Sequence, residues 1–246
     1  MKLGMLLAVL ALMTGCATGR TLGGQVLASR HHSRSLLPAA APRAPLETPL
    51  ASEKVKKVKP PPRTARREEV VASARGLVGQ KKVQVAGRTW PSDCTGFVEA
   101  VYAQAGVSFS GTALPGDNGV TALYRYARAH GRLFTRQQPQ PGDLVFFRET
   151  YDQNRDGQRN DGLTHVGLVD AVEKDGTVTV IHRVKRGVVR YRMNLARPHL
   201  RRDPRTGEVL NDMLRGPGPG RPPHLTGQLF ATFATVLPEP AAVARR

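Results

Sequence analysis

Two strand-forming runs, residues 164–172 and 177–184, meet at the dipeptide Asp175-Gly176. Asp-Gly between alternating apolar residues is the strongest short-range signal of a tight hairpin, because it supplies the positive φ angles such a turn needs. A further strand, 143–147, follows a Pro-Gly turn, another spans 188–193, and residues 228–236 alternate as a closing strand. The segment before these strands has helical periodicity. Val70, Val71, Ala74 and Leu77 recur at helix spacing after Arg67-Glu68-Glu69, with Gly79 as a stop. Val83 and Val85 alternate as a short strand or extended loop. Phe97, Val98, Val101 and Ala105 mark a second helix, and a third is expected from about Val120 to Ala129. Helices first and an antiparallel sheet afterwards define an α+β domain, expected over 67–237. The Arg-, Pro- and Gly-rich stretch 193–225 reads as a long surface loop, and 238–246 as a flexible tail.

Residues 17–66 read differently. They are rich in Ala and Pro, carry the basic run Lys54-Val55-Lys56-Lys57-Val58-Lys59, and lack large apolar residues, which is the composition of an extended tether. Ahead of them, Met1-Lys2, an apolar run and then Thr14-Gly15-Cys16 have the layout of a secretory signal, too short in its apolar part to span a bilayer of roughly 20 residues. Segment 1–15 is therefore expected to be a signal peptide and 16–66 a tether. The formal net charge of +18 attracts polyanions. An exported chain meets anionic lipid and wall polymer and not nucleic acid, so no nucleic-acid partner is expected.

The chain has two cysteines, Cys16 and Cys94. A free thiol in an oxidising compartment is exposed to oxidation, which favours a chemical over a packing role for Cys94. Cys94 opens the second helix, where Ser92 or Asp93 can cap. A helix N-terminus favours the thiolate and offers N–H groups to an oxyanion. Such a nucleophile needs an imidazole oriented by a third polar group. Of seven histidines, His165 and His182 sit inside strand-forming runs. A regular hairpin about Asp175-Gly176 puts His165 across from about Arg186 and not His182, so a bulge or splay is required for the two rings to meet.

Four segments resemble the NlpC/P60 and CHAP group of papain-like cell-wall hydrolases. Asp93-Cys94-Thr95-Gly96-Phe97-Val98 is similar to the nucleophile motif, with Thr95 where Ser is common. Pro141-Gly142-Asp143-Leu144-Val145-Phe146-Phe147 resembles the strand before the base. Thr164-His165-Val166-Gly167-Leu168-Val169 resembles the base motif, and residues 177–183 the segment bearing the third polar residue. The resemblance implies Cys94 as nucleophile, His165 as general base and His182 as its orienting partner. It also implies Asp93 and Ser92 as substrate-binding residues. A histidine at the third position is an NlpC/P60 trait, whereas its 17-residue separation from His165 is closer to CHAP. The implied activity is cysteine-dependent hydrolysis of an amide in peptidoglycan, by an endopeptidase or amidase that needs no cofactor and acts as a monomer. Alternatives on the same fold are a non-catalytic wall-binding lipoprotein and a thiol-dependent acyltransferase. Cys16 after Thr-Gly resembles a lipobox, implying a lipid anchor (palmitate included) at the membrane. With Ala17 next, that is the outer membrane facing the periplasm in a host with two membranes.

One insertion, 152–162, lies ahead of His165. Asp152, Asn154 and Asp156 alternate and Gly157 is sixth, as calcium loops begin, with Asn160 and Asp161 following. The twelfth position is Leu163 and not a bidentate Glu. Two readings stand, a structural calcium loop and an ordinary polar hairpin loop, and both put it at the edge of the cleft. Zinc is not expected, since no Cys or His pair has ligand spacing.

Overall fold

The computed structural model describes residues 63–218 and 222–237, all within the unit Lys57–Arg246. The signal peptide, nearly all of the tether with Cys16, and the tail lie outside the described residues. In chain order the elements are α1 (Arg63–Gly76), β1 (Val83–Val85), β2 (Arg88–Trp90), α2 (Cys94–Gln104), α3 (Gly119–His130) and β3 (Arg132–Phe134). β4 (Leu144–Arg148), β5 (Leu163–Val172), β6 (Val178–Val184) and β7 (Gly187–Met193) follow. Then come β8 (Met213–Arg215), β9 (His224–Leu225), α4 (Thr226–Leu229) and β10 (Phe230–Thr235).

The main sheet has six strands in the order β3-β10-β4-β5-β6-β7, and every pairing in it is antiparallel. Its strands alternate inward and outward on a period of two, so one sequence run feeds two cores. Leu144, Phe146, Val166, Leu168 and Ile181 join Val70, Phe97, Val101 and Leu123 of the helices in one buried cluster. Val145, Phe147, Val169, Val178 and Val180 form a second with Met193, Leu229 and Phe233. The fold is α+β, as the helix-then-strand order implies. α1 is docked by charge as well as by its apolar stripe: Arg67 reaches Asp143 at 2.8 Å.

The stretch read as a surface loop is instead packed structure. Within 194–218, Leu195 and Leu214 pack against the second core, and Asn194, Asp203, Leu210 and Asn211 are buried. Asn211 explains how a Pro- and Arg-rich segment can be buried. Its side chain donates to the carbonyls of Arg197 and Leu200 at 2.9 and 2.8 Å and accepts from the Asn194 N–H at 2.8 Å. Backbone groups that a loop would leave to water are thereby satisfied inside.

The hairpin of β5 and β6 carries the bulge that the two histidines require. Pairing runs Val172↔Val178 and Ala171↔Thr179, then shifts to Val169↔Val180 and Leu168↔Ile181. Asp170 is the extra residue. Its buried carboxylate accepts from Arg75 Nε at 2.5 Å and from Arg190 Nε at 2.7 Å. A bulge re-aims the residues beyond it. Continuing the shifted register sets His182 opposite Gly167, with His165 one diagonal step away.

Candidate active site

Asp93 has extended backbone (φ −130°, ψ −176°), and its Oδ1 accepts from the Gly96 N–H at 2.8 Å and from the Thr95 hydroxyl at 2.8 Å. Of the two capping residues expected, Asp93 is the one that caps. Ser92 accepts from the Val83 N–H at 3.4 Å, tying the approach to the helix to β1. The start of α2 is further fixed by close backbone approach. A Cβ on Gly96 would lie 2.1 Å from the Pro91 carbonyl oxygen, so only glycine lets the chain fold back there.

Cys94 is thus the first helical residue, and the first N–H groups of a helix have no partner within it. The N–H groups of Val166, Cys94 and Thr95 all face the sulfur and favour the thiolate. Burial outweighs them: the thiol is pushed up to about 11, chiefly by loss of solvation, with Asp93 adding in the same direction. The helix N-terminus alone therefore does not ionise Cys94, contrary to the simplest reading of its position. The thiolate must be made by passing the proton to a base.

His165 and His182 supply that pair. The bulged register brings His165 Nε2 within 2.7 Å of His182 Nδ1, their ring centroids 5.0 Å apart and the planes near perpendicular. Gly167 makes room, because a Cβ there would lie 2.6 Å from Val180 Cγ1 and 3.1 Å from the His182 Cβ. Burial lowers the His165 pKa to about 4. His182, fully buried, is lowered well below the ordinary imidazole value by desolvation first, then by its neighbours His165 and Arg186. Both rings are neutral at physiological pH. His182 Nε2 is buried without a hydrogen-bond partner, and the Tyr191 ring packs edge-on against the imidazole at 4.4 Å.

Cys94 and His165 line one cavity of about 640 Å³ together with Ser92, Asp93, Asn118 and Tyr151. His182 stands behind His165. Five residues expected at the site are thus brought together in one place. Tyr151 and Asn118 were not legible in the sequence. Tyr151 is half exposed over the cleft, and burial and the charge of Cys94 raise its phenol. Asn118 caps α3 through the Thr121 N–H and donates to Gln153 Oε1 and the Leu163 carbonyl, joining α3 to the inserted loop. A helix-start Asn is recognisable as a cap; its second role depends on the fold.

None of the inserted residues 152–162 lines the cavity; Tyr151, just ahead of them, does, and Gln153 accepts from Asn118 on its wall at 2.9 Å. The inserted loop's own acceptors are turned inward. Asp152 Oδ2 takes the Gly157 N–H, Asp156 Oδ1 the Gln158 N–H, and Asp161 Oδ1 the Asn154 N–H. Asn160 donates to Asp156 Oδ2 at 2.7 Å. Among the described residues no group of three His, Cys, Asp or Glu side chains is gathered to hold a metal. Asp152 Oδ1 and Asp161 Oδ2 are buried without a hydrogen-bond partner.

The domain is α+β, with a cysteine at a helix start and two linked histidines on a neighbouring antiparallel hairpin. Residues 83–183 match the CHAP domain family. A solved structure from Staphylococcus aureus subsp. aureus Mu50, similar to lipoproteins of the NLP/P60 family, aligns at 23% identity and a TM-score of 0.31. The alignment covers 49% of this chain and 34% of that one, so this chain spans about a third of its length. No curated protein matches.

Proposed function

We propose that the protein is a cysteine-dependent amide hydrolase of peptidoglycan, with Cys94 as nucleophile, His165 as general base and acid, and His182 as the residue that positions His165. The observation that carries this reading is the shared cavity of Cys94 and His165, backed by the 2.7 Å link to His182. With Nε2 of His165 committed to His182, Nδ1 is the nitrogen left for the thiol. For Nδ1 to accept a proton, His165 must donate from Nε2 to His182 Nδ1, which fixes both tautomers. The sulfur attacks the amide carbonyl as its proton passes to His165, and the imidazolium formed is held by the neutral His182 acceptor. The oxyanion faces the N–H groups of Cys94 and Thr95 at the start of α2. His165 returns the proton to the leaving amine, giving a thioester. Water, deprotonated by the same imidazole, clears it and restores the thiol.

Asp93, exposed beside Cys94, is a substrate-binding residue in this reading, with Ser92 next to it. Cys16 is the lipid attachment point, placing the domain at a membrane on a tether, facing peptidoglycan. Loss of labelled palmitate incorporation in Cys16→Ala tests the anchor. Digestion of purified peptidoglycan by the protein, with Cys94→Ala as control, tests the chemistry. Fragments that appear only with intact Cys94 support the hydrolase, and their masses name the bond as endopeptidase or amidase. Fragments that persist in Cys94→Ala refute it.

A further inference from the structure

Many arginines of this domain are neutralised where they stand. Arg67 pairs with Asp143, Arg75 and Arg190 share Asp170, Arg125 pairs with Asp117, and Arg192 with Glu173. A group on one wall of the cleft is not neutralised in this way. Lys81, Arg183, Lys185 and Arg186 come together at the end of the β6–β7 hairpin, and none has a carboxylate partner among the described residues. Arg183 Nη2 donates to the Lys81 carbonyl at 3.0 Å, and its Nη1 to the carbonyl of Val184. Arg186 Nη2 donates to the Tyr191 hydroxyl at 3.2 Å. Lys185 is exposed and makes no hydrogen bond or ion pair among the described residues.

The turn that carries these cations is held in place. Gly187 has φ +134°, and a Cβ on it would lie 2.8 Å from the Gln80 carbonyl oxygen. The Val188 N–H donates to that same carbonyl at 2.9 Å, and the Gly79 N–H to the Val188 carbonyl at 2.8 Å. Arg183, Lys185 and Tyr191 line the cavity that holds Cys94 and His165, with Asp93 also on its lining. The cleft thus carries a carboxylate beside its nucleophile and cations on its β6–β7 wall. Lys81 and Arg186 add to the positive potential of that wall.

We propose that the β6–β7 wall is a carboxylate subsite. Lys185, backed by Arg183, selects a peptide substrate carrying a free carboxylate close to the scissile amide and disfavours the same peptide amidated at that position. This rests on the hydrolase reading of the cleft and adds its substrate class. The cations belong to the cavity wall, so the anion they meet is part of the molecule whose amide reaches Cys94. A peptide stem carries carboxylates beside its amides, whereas a phosphodiester polymer has no such amide to present.

The test uses stem peptides made as free acid and as amide, bound to full-length Cys94→Ala protein by calorimetry, so that no turnover is needed. The free acid binds roughly tenfold more tightly, the size of one charge-assisted contact. Lys185→Gln in that background brings the two peptides within about twofold, and raising the salt weakens the preference. Equal binding of acid and amide overturns the subsite, as does failure of both to bind. A preference that survives Lys185→Gln removes Lys185 from it. Inorganic polyphosphate bound more tightly than the acid peptide, with the same loss in Lys185→Gln, overturns it in favour of a phosphate-bearing polymer. Turnover by the intact protein is read separately. Acid-selective binding without turnover refutes the hydrolase reading and leaves the subsite, and turnover without selectivity does the reverse.

Discussion

Acidification is expected to unfold this domain through its two buried histidines. His165 has a native pKa of about 4, against roughly 6.5 for an exposed imidazole. Between those values the unfolded chain binds a proton that the native state refuses. Stability therefore rises with pH across the window and is lost as pH falls through it. From this difference His165 alone forfeits about 2 kcal/mol between neutral pH and about pH 5, and about 3 kcal/mol by about pH 4. His182 is lowered further and adds in the same direction. Set against native stabilities of roughly 5–15 kcal/mol, that loss is large. The comparison is urea unfolding of the wild type and of His165→Gln/His182→Gln at pH 7.5, 6 and 5. It is followed by circular dichroism and by Trp90, the single tryptophan. Other groups titrate in both proteins and cancel in the difference. The wild type should lose at least about 2 kcal/mol more than the double variant over that range. Parallel pH dependences would show that the histidines are not buried as neutral rings, and the reasoning would fail.

Other expectations concern the site and its supports. Gly167→Ala puts a methyl against Val180, His182 and the Ile181 carbonyl, so it should cost about 1–3 kcal/mol of stability and depress kcat far more than KM by displacing His182. Denaturation and steady-state kinetics on one preparation check both. The pH–rate profile should lose activity only on approach to about pH 4, where His165 becomes protonated and can no longer accept. An acid limb centred near an ordinary imidazole value would contradict the buried neutral pair. Calcium titration followed by thermal unfolding tests the inserted loop: a rise in Tm that Asp152→Asn abolishes supports an ion there, and an unchanged Tm identifies a polar hairpin loop.

The parts of the fold legible in the sequence are those whose signal is local. β4 to β7 are five or more residues long and rich in β-branched and aromatic residues, Asp175-Gly176 marks their central turn, and Asp93 announces the helix that carries Cys94. β2, β3, β8 and β9 are two or three residues long and exist only because a partner strand is present, so no run of sequence is long enough to betray them. Segment 193–225 has the composition of a loop, and burial within 194–211 depends on the long-range acceptors and donors of Asn211. The site divides the same way. Cys94 and His165 could be placed from their own neighbourhoods. Contact between His165 and His182 depends on the Asp170 bulge, which is braced by Arg75 from α1 and Arg190 from β7. No spacing rule within the hairpin encodes that brace. Tyr151 was invisible for a related reason: what brings it to the cleft is the fixed conformation of Glu149 and Thr150. Glu149 has φ +56° and accepts the Gly162 N–H, and Thr150 bonds Thr164.

The most direct test of the proposed catalytic pair is the ionisation of Cys94 in the resting protein, read by the rate of alkylation with iodoacetamide against pH in the wild type and in His165→Gln. A half-buried neutral thiol beside a neutral imidazole should react slowly at neutral pH and accelerate only toward about pH 11 in both proteins. Turnover of peptidoglycan, by contrast, should be abolished in His165→Gln. Rapid alkylation of the wild type at neutral pH that is lost in His165→Gln would reveal a standing thiolate–imidazolium pair and contradict the neutral resting state. Undiminished turnover in His165→Gln would contradict the catalytic assignment itself.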